Sequence, residues 1–294
     1  MATNKQIRDR IHILKEEFDK LKVGKDALLT VIDEAELPEA VYNSNAIENS
    51  TLTLSDTEKI LLEAEANVNA SPREIFETKN LARVSEYMRG KAKTHNLDKK
   101  TMLSLHEMLI TGINDSIAGR FRKAHEYVRV GTYIAPAPEQ IERMVDAALT
   151  EYANNHESYA LDEIARFHLE FEHIHPFCDG NGRIGRVLMN WQLIRLGYPP
   201  VIIRDKEKRL YYASFPAYRD KKNTKPAEKM LTLALTESLH KRIAYLRGTE
   251  IVRLSDYAKK TERTTVAALT NAARRQNIPA FREKGVWKIA AEFR

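Results

Sequence analysis

Residues 175–186 read HPFCDGNGRIGR, and no other stretch restricts the fold as much. The segment before it, LDEIARFHLEFEHI, has helical spacing, and Pro176 disfavours helical geometry in the residue that precedes it, so the helix has to end at His175. Asp179-Gly180-Asn181-Gly182 then offers residues that tolerate unusual backbone angles and bring N–H groups close to a ligand, directly before a second helical run, RIGRVLMNWQLIRL. Two helices therefore meet at a tight loop, with an anion nest at the start of the second.

Arg183 and Arg186 make that nest chemically specific. Cations near a helix N-terminus oppose the macrodipole by about 0.3 to 1 kcal/mol each, so they need an anionic partner. Spaced three apart, they share one helix face. Two arginines, backbone N–H groups and a dipole suit a polyanion such as a nucleoside polyphosphate. Asp179 at the same mouth would repel it unless a hard cation lies between, which implies Mg²⁺. His175 is then placed to take a proton from a nucleophile.

The 294 residues are 43% hydrophobic and 30% charged, enough for one large core and a smaller one. Neither a signal-peptide stretch nor a membrane-length apolar run occurs, and the lone Cys178 fits a reducing compartment, so a cytoplasmic protein without membrane partners is expected. Ile7, Ile11, Leu14, Phe18 and Leu21 form one helical stripe, for packing within the chain or, less simply, a homodimer seam. Further helical patterns run over about 54–67, 72–94, 98–112, 139–154 and 160–174, with starts at Ser71-Pro72 and Asp98. Between them, Val128, Val130, Tyr133 and Ile134 around Gly131-Thr132 predict a short hairpin, long enough off the helical body to act as a functional flap.

Charge is uneven. Residues 1–200 carry 25 Lys+Arg against 31 Asp+Glu (net −6), and residues 201–294 carry 22 against 10 (net +12). The last segment predicts a short helix after Ser255, a second from about Thr264 to Arg275, and two strands around Lys284-Gly285, the order of a winged helix. Arg274, Arg275, Lys284 and Lys288 make duplex DNA a candidate partner there, and a DNA-binding regulator the alternative function. Phe281 and Trp287 read as core of this small domain.

The loop resembles the signature of the Fic family, H-x-F-x-D/E-G-N-G-R-x-x-R, at every specified position. LHEML at 105–109, the FRKAHEYVRVG flap and YIAPAPEQI extend the similarity over about 40–205. The resemblance implies a mainly α chain: a Fic-type helical bundle with a β-hairpin flap, plus the small winged-helix domain. The segments would be an N-terminal helical region at 1–70, the catalytic core at 71–205 with its flap at about 120–136, a helical connection at 206–248, and the terminal domain at 249–294. It implies transfer of AMP from ATP to a Tyr, Thr or Ser hydroxyl of a target protein, itself included, and leaves the reverse reaction open. His175 would be the general base and Asp179 the Mg²⁺ ligand. Asn181 with the Gly180 and Gly182 backbone would cradle phosphate, Arg183 and Arg186 would hold the outer phosphates, and Val128, Arg129, Val130 and Gly131 would dock the target. Ser44-x-x-x-Glu48-Asn49 resembles the family's inhibitory motif, S/T-x-x-x-E-G/N, in an inhibitory helix near 43–50. Glu48 would pair with Arg186 and displace the terminal phosphate.

Other chemistries fit less well. His173 and His175 are two apart and cannot share a helix face as zinc ligands with His168, and His106-Glu107 lacks a second histidine at 110. Cys178 has no orienting third residue for a nucleophilic pair.

Overall fold

Capping residues and prolines set the element boundaries. The computed structural model describes residues 4–62, 69–155, 158–261 and 265–293. In chain order these form α1 (Lys5–Leu21), α2 (Asp26–Ile47), α3 (Leu54–Leu62), α4 (Pro72–Lys91) and α5 (Lys99–Ile110), then strands β1 (Arg129–Val130) and β2 (Tyr133–Ile134). Next come α6 (Ile141–Asn154), α7 (Ala160–Ile174), α8 (Asn181–Arg195), α9 (Lys208–Lys221) and α10 (Lys225–Arg247). The chain closes with β3 (Ile251–Arg253), α11 (Leu254–Thr261), α12 (Val266–Arg274), β4 (Phe281–Glu283) and β5 (Val286–Ala290). The fold is mainly α. Among the described residues no helix is long and apolar enough to cross a membrane.

Ser71 caps α4 through a full capping box with Glu74, and Asp98 caps α5 by accepting from Thr101 N–H. α3 is described as far as Leu62, so the rest of the expected 54–67 helix lies outside the described residues, as does Thr264. α2, whose N-terminal half is not among the helical patterns expected above, is 22 residues long and carries Pro38 within it.

The chain divides into two compact units, one of residues 38–230 and one of residues 4–37 with 231–294, so the boundaries fall inside α2 and α10. In the first, α7 and α8 lie at the centre, packed on each other and flanked by α4, α5, α6 and α9. α8 is buried on nearly every side, through Ile184, Val187, Leu188, Met189, Trp191, Leu193 and Ile194, which is why its sequence shows no polar face. The loop between these two helices is thereby fixed from both ends.

In the second unit, β3, β5 and β4 form an antiparallel sheet in that order, and Leu254, Ala258, Leu269, Ala273, Ala280 and Ile289 make its core. β3 is not among the expected strands; it pairs with β5, with Val252 opposite Ile289. The Lys284-Gly285 turn has positive φ at both residues, the geometry of a tight two-residue hairpin. Phe281 is fully buried, and Trp287 lies half-buried under the Arg282 guanidinium. Of the basic residues singled out here, Lys288 pairs with Glu283. The α1 stripe is only partly interior: Ile11 and Phe18 are buried, whereas Ile7 is 42% exposed.

Candidate active site

His175 ends α7 in the left-handed region, φ 49°, with its N–H donated to Phe171 O at 2.9 Å. Pro176 prevents the helix from continuing, and this unusual conformation at a bulky residue is held from outside. Buried Arg122, from the flap base, donates through Nε to His175 O at 2.9 Å and through Nη2 to Pro136 O at 2.9 Å, and its own N–H bonds Pro176 O at 3.0 Å. One arginine thus ties the root of the flap to the loop. No residue pattern marks this role, because the partners are backbone carbonyls. The flap itself is smaller than expected: two pairs, Arg129 with Ile134 and Val130 with Tyr133, turn at Gly131-Thr132. Val128 and Gly131 lie outside its strands. Tyr133 Oη and His173 Nδ1 are 3.0 Å apart, which moors β2 to α7.

The loop closes on itself. Asn181 Oδ1 accepts from Phe177 N at 2.9 Å and its Nδ2 donates to Phe177 O at 2.8 Å. The Asn181 side chain is therefore committed to loop shape, and what the residue offers a ligand is its N–H in the first turn of α8. His106 braces the loop from α5: it accepts Gly119 N–H on Nδ1, so Nε2 donates to Asp179 O at 3.1 Å, and its ring stacks on Phe177 at 3.7 Å. Burial pushes His106 down to about 4 and keeps it neutral for that task. Gly180 needs φ +78°, and a Cβ there would also meet Leu109 at 3.0 Å. Replacing Asn181 with Ala should cost about 1–3 kcal/mol by leaving buried Phe177 groups unsatisfied, read as a fall of about 2–4 °C in Tm per kcal/mol, together with weaker nucleotide binding.

Arg183 and Arg186 are both buried, and each is held by its own set of partners. Arg183 pairs with Asp179 at 3.3 Å and with Glu77 of α4 at 3.1 Å, while its buried Nε has no partner among the described residues. Arg186 turns to α2: Nε donates to Ser44 Oγ at 3.0 Å, Nη2 to Ser44 O at 2.8 Å and to Glu48 Oε1 at 2.9 Å, and Nη1 to Tyr211 Oη at 3.3 Å. Glu48 and Asn49 lie just beyond the end of α2, so the expected helix over 43–50 stops at Ile47. Asn49 adopts φ 67°, which explains why a left-handed-tolerant residue follows the glutamate. Glu48 Oε1 lies only 2.2 Å from where a Cβ on Gly182 would stand. An anionic side chain thus already occupies the positive end of α8.

Asp179 does not face the cavity uncompensated. Arg73 of α4 donates to its Oδ2, and Gly180 N–H to its Oδ1 at 2.6 Å. Burial alone would push the carboxyl up, but Arg183, Arg73 and the Gly180 N–H outweigh it and hold the group below its ordinary value. Arg73 lies 106 residues from Asp179 and could not be found from the loop. Buried Glu172 was also missed. It lies with Oε2 3.9 Å from His175 Nδ1, beside Tyr211, and burial, with the charge of Glu48, pushes its carboxyl up to about 8. His175 itself is pushed down to about 4, chiefly by burial, and its Nδ1 has no hydrogen-bond partner among the described residues. Its imidazole is neutral, the form that accepts a proton.

Two cavities meet at this point. One, about 390 Å³, is polar and lined by Arg73, Glu77, Cys178, Asp179 and Arg183. The other, about 620 Å³, is lined by Tyr133, Tyr211, Tyr212, Phe215 and Arg219 under the flap. Glu48, Asn49, His175 and Gly182 border both.

Residues 96–193 match the Fic/DOC family model. The protein adenylyltransferase Fic of Aedes aegypti is 30% identical over 216 residues, covering 68% of this chain and 42% of the relative. That of Drosophila melanogaster is 31% identical over 259 residues, covering 83% of this chain and 50% of the relative, so the chain spans at most about half the length of these relatives. A Fic domain containing signaling protein from Bacteroides thetaiotaomicron superposes with a TM-score of 0.72 at 25% identity, over 81% of this chain and 97% of that one. The family model spans α7, the HPFCDGNGRIGR loop and most of α8, and the solved neighbour shares the surrounding helical frame. Through this segment the chain belongs to the Fic/DOC family.

Proposed function

We propose that the chain transfers AMP from ATP to a hydroxyl side chain of a protein, and that the structure describes a self-restrained state. The observation that carries this is the position of Glu48, a carboxylate lodged at the N-terminus of α8, on Gly182 and Arg186, where two cavities meet. A site built to hold an anion and plugged by one of the chain's own fits a nucleotide held back by a brake.

In the productive complex the aromatic cavity of Tyr211, Tyr212 and Phe215 receives the base. The first-turn N–H groups of α8 hold the α-phosphate, and Arg186, freed from Glu48, takes the terminal phosphate. Arg183 keeps Asp179 oriented and turns its unpartnered Nε toward the polyphosphate. Neutral His175 accepts the proton of the incoming hydroxyl while that oxygen attacks the α-phosphorus and pyrophosphate leaves. A divalent ion fits at Asp179, a hard oxygen donor whose Oδ2 already carries a cationic group; no cluster of three ligating side chains exists among the described residues, so Asp179 with phosphate oxygens would have to supply the site. When bound, Mg²⁺ would neutralise phosphate charge. The exposed edge of the Arg129–Val130 strand is the docking line for an extended target segment carrying Tyr, Thr or Ser, this chain's own segments included. A cytoplasmic setting, with ATP and Mg²⁺ at hand and Cys178 reduced, belongs to the same reading, as does a winged-helix-like character for residues 249–294.

ATP labelled at the α-phosphorus or at the γ-phosphorus, offered to the Glu48→Gly chain with a protein lysate, tests the reaction class. Label from the α position alone is expected in protein; label from the γ position would indicate phosphate transfer and end the proposal.

A further inference from the structure

The first turn of α4 reaches both ends of the site with adjacent residues. Arg73 donates to Asp179 Oδ2 through Nη2 and to Glu77 Oε1 at 3.0 Å through Nε. Glu77 also pairs with Arg183 at 3.1 Å, and Arg183 with Asp179 Oδ1 at 3.3 Å. Asp179, Arg73, Glu77 and Arg183 therefore form a closed ring of alternating charge. Next in sequence, Glu74 accepts from Thr51 N at 2.9 Å and Thr51 Oγ1 at 2.7 Å, three residues past Glu48.

Within the ring the members are not equivalent. Arg183 is buried, and Asp179 Oδ1 is taken by Gly180 N–H and Arg183, which leaves Oδ2 to Arg73. Its partner Arg73 has a side chain 57% exposed, long enough to leave, with Glu77 four residues along α4 to retain it. We propose that Arg73 is a resident counter-ion at the metal position, neutralising Asp179 before nucleotide arrives and giving way when a divalent ion is bound there. This rests on Asp179 being the carboxylate that holds the metal. A guanidinium and a divalent cation repel each other and compete for the same oxygen, so the two occupancies exclude one another. The gain is that Asp179 never faces incoming phosphates as a bare charge; the cost is that metal must first displace Arg73.

The competition has a signature that neither a phosphate ligand nor a scaffold residue shares. Arg73→Gln in the Glu48→Gly chain should tighten ATP binding in Mg²⁺ and weaken it in EDTA, because in EDTA nothing then compensates Asp179. An exposed ion pair of this kind contributes up to about 1 kcal/mol, so each change is up to about fivefold, and the ratio of the two Kd values widens. Arg73→Lys, which keeps the charge, should hold the ratio near that of the parent. Calorimetric Kd values in Mg²⁺ and in EDTA for all three chains, with α,β-methylene-ATP as the uncleavable probe, decide it. Opposite shifts for Gln, with Lys near the parent, support the proposal. Parallel weakening in both media would make Arg73 a phosphate ligand or a structural residue and overturn it, and equal Kd values for all chains would do so too. Failure of the Glu48→Gly parent to bind the probe in either medium would instead strike the nucleotide assignment of the whole site.

Discussion

His175→Ala should lower the rate of AMP transfer by about 10²- to 10⁴-fold, the range that a positioned general base supplies, while nucleotide affinity stays within a fewfold of the parent. The imidazole borders both cavities but is not among the partners of Asp179, Glu77, Arg183 or Arg186 in the described residues, and its Nδ1 makes no hydrogen bond there, so removing it withdraws a proton acceptor rather than a phosphate contact. The measurement is a pair: initial transfer rate from α-labelled ATP, and Kd for ATP by calorimetry, both in the Glu48→Gly background. Undiminished transfer would eliminate the assigned base; a large loss of affinity would mean that the ring binds nucleotide. The pH profile gives a second handle. Burial lowers the His175 pKa to about 4, so more acid is needed to protonate it than for an ordinary histidine near 6.5. The acid limb of kcat/KM, which reports the free enzyme, should accordingly lie below pH 6.

Glu48→Gly should raise the transfer rate by about ten- to a hundredfold. ATP can place its terminal phosphate on Arg186 only after the Glu48 carboxylate leaves, and a hydrogen bond to a charged partner contributes about 1.5–3 kcal/mol. The substitution removes that bond and clears the space over Gly182, where the carboxylate now stands. Arg186 keeps Ser44 Oγ, Ser44 O and Tyr211 Oη, so its guanidinium is not left adrift. Asn49 is retained, which keeps the left-handed turn after α2. Equal rates for parent and variant would show that the Glu48 pair restrains nothing.

How far the sequence reaches can be judged residue by residue. The α7–loop–α8 unit was legible because local rules fix it: Pro176 stops one helix, Gly180 starts the next, and neither depends on distant partners. Ser44, Glu48 and Asn49 were legible only through their resemblance to the Fic inhibitory motif, and the pairing of Glu48 with Arg186 is present in the structure. Contacts made across the fold were not. Arg73 and Glu77 sit on α4, a polar helix face that reads as solvated until α8 is set against it. Glu172 looks like one more acid in a charged helix, yet it is buried beside Gly185, where a Cβ would come within 2.5 Å of its Oε1. Among the described residues the hydrogen bonds of the Arg122 side chain go to backbone carbonyls, for which no residue code exists. The separate partners of Arg183 and Arg186 were not legible for a related reason: an i, i+3 pair starts on one face, but long side chains go where their partners are.

The mutual closure of the Asn181 amide on Phe177 bears on kinetics. A loop that is already tied at both polar ends loses little conformational entropy when a ligand arrives, since its ordering took place as the chain folded. Association of nucleotide should then be paced by the departure of side chains, Glu48 from the phosphate end and Arg73 from the metal position, a sub-microsecond class of motion when unhindered, rather than by any rearrangement of the cradle. A rigid receptacle stoppered by side chains can be regulated by whatever touches the stoppers, leaving the chemistry itself unaltered.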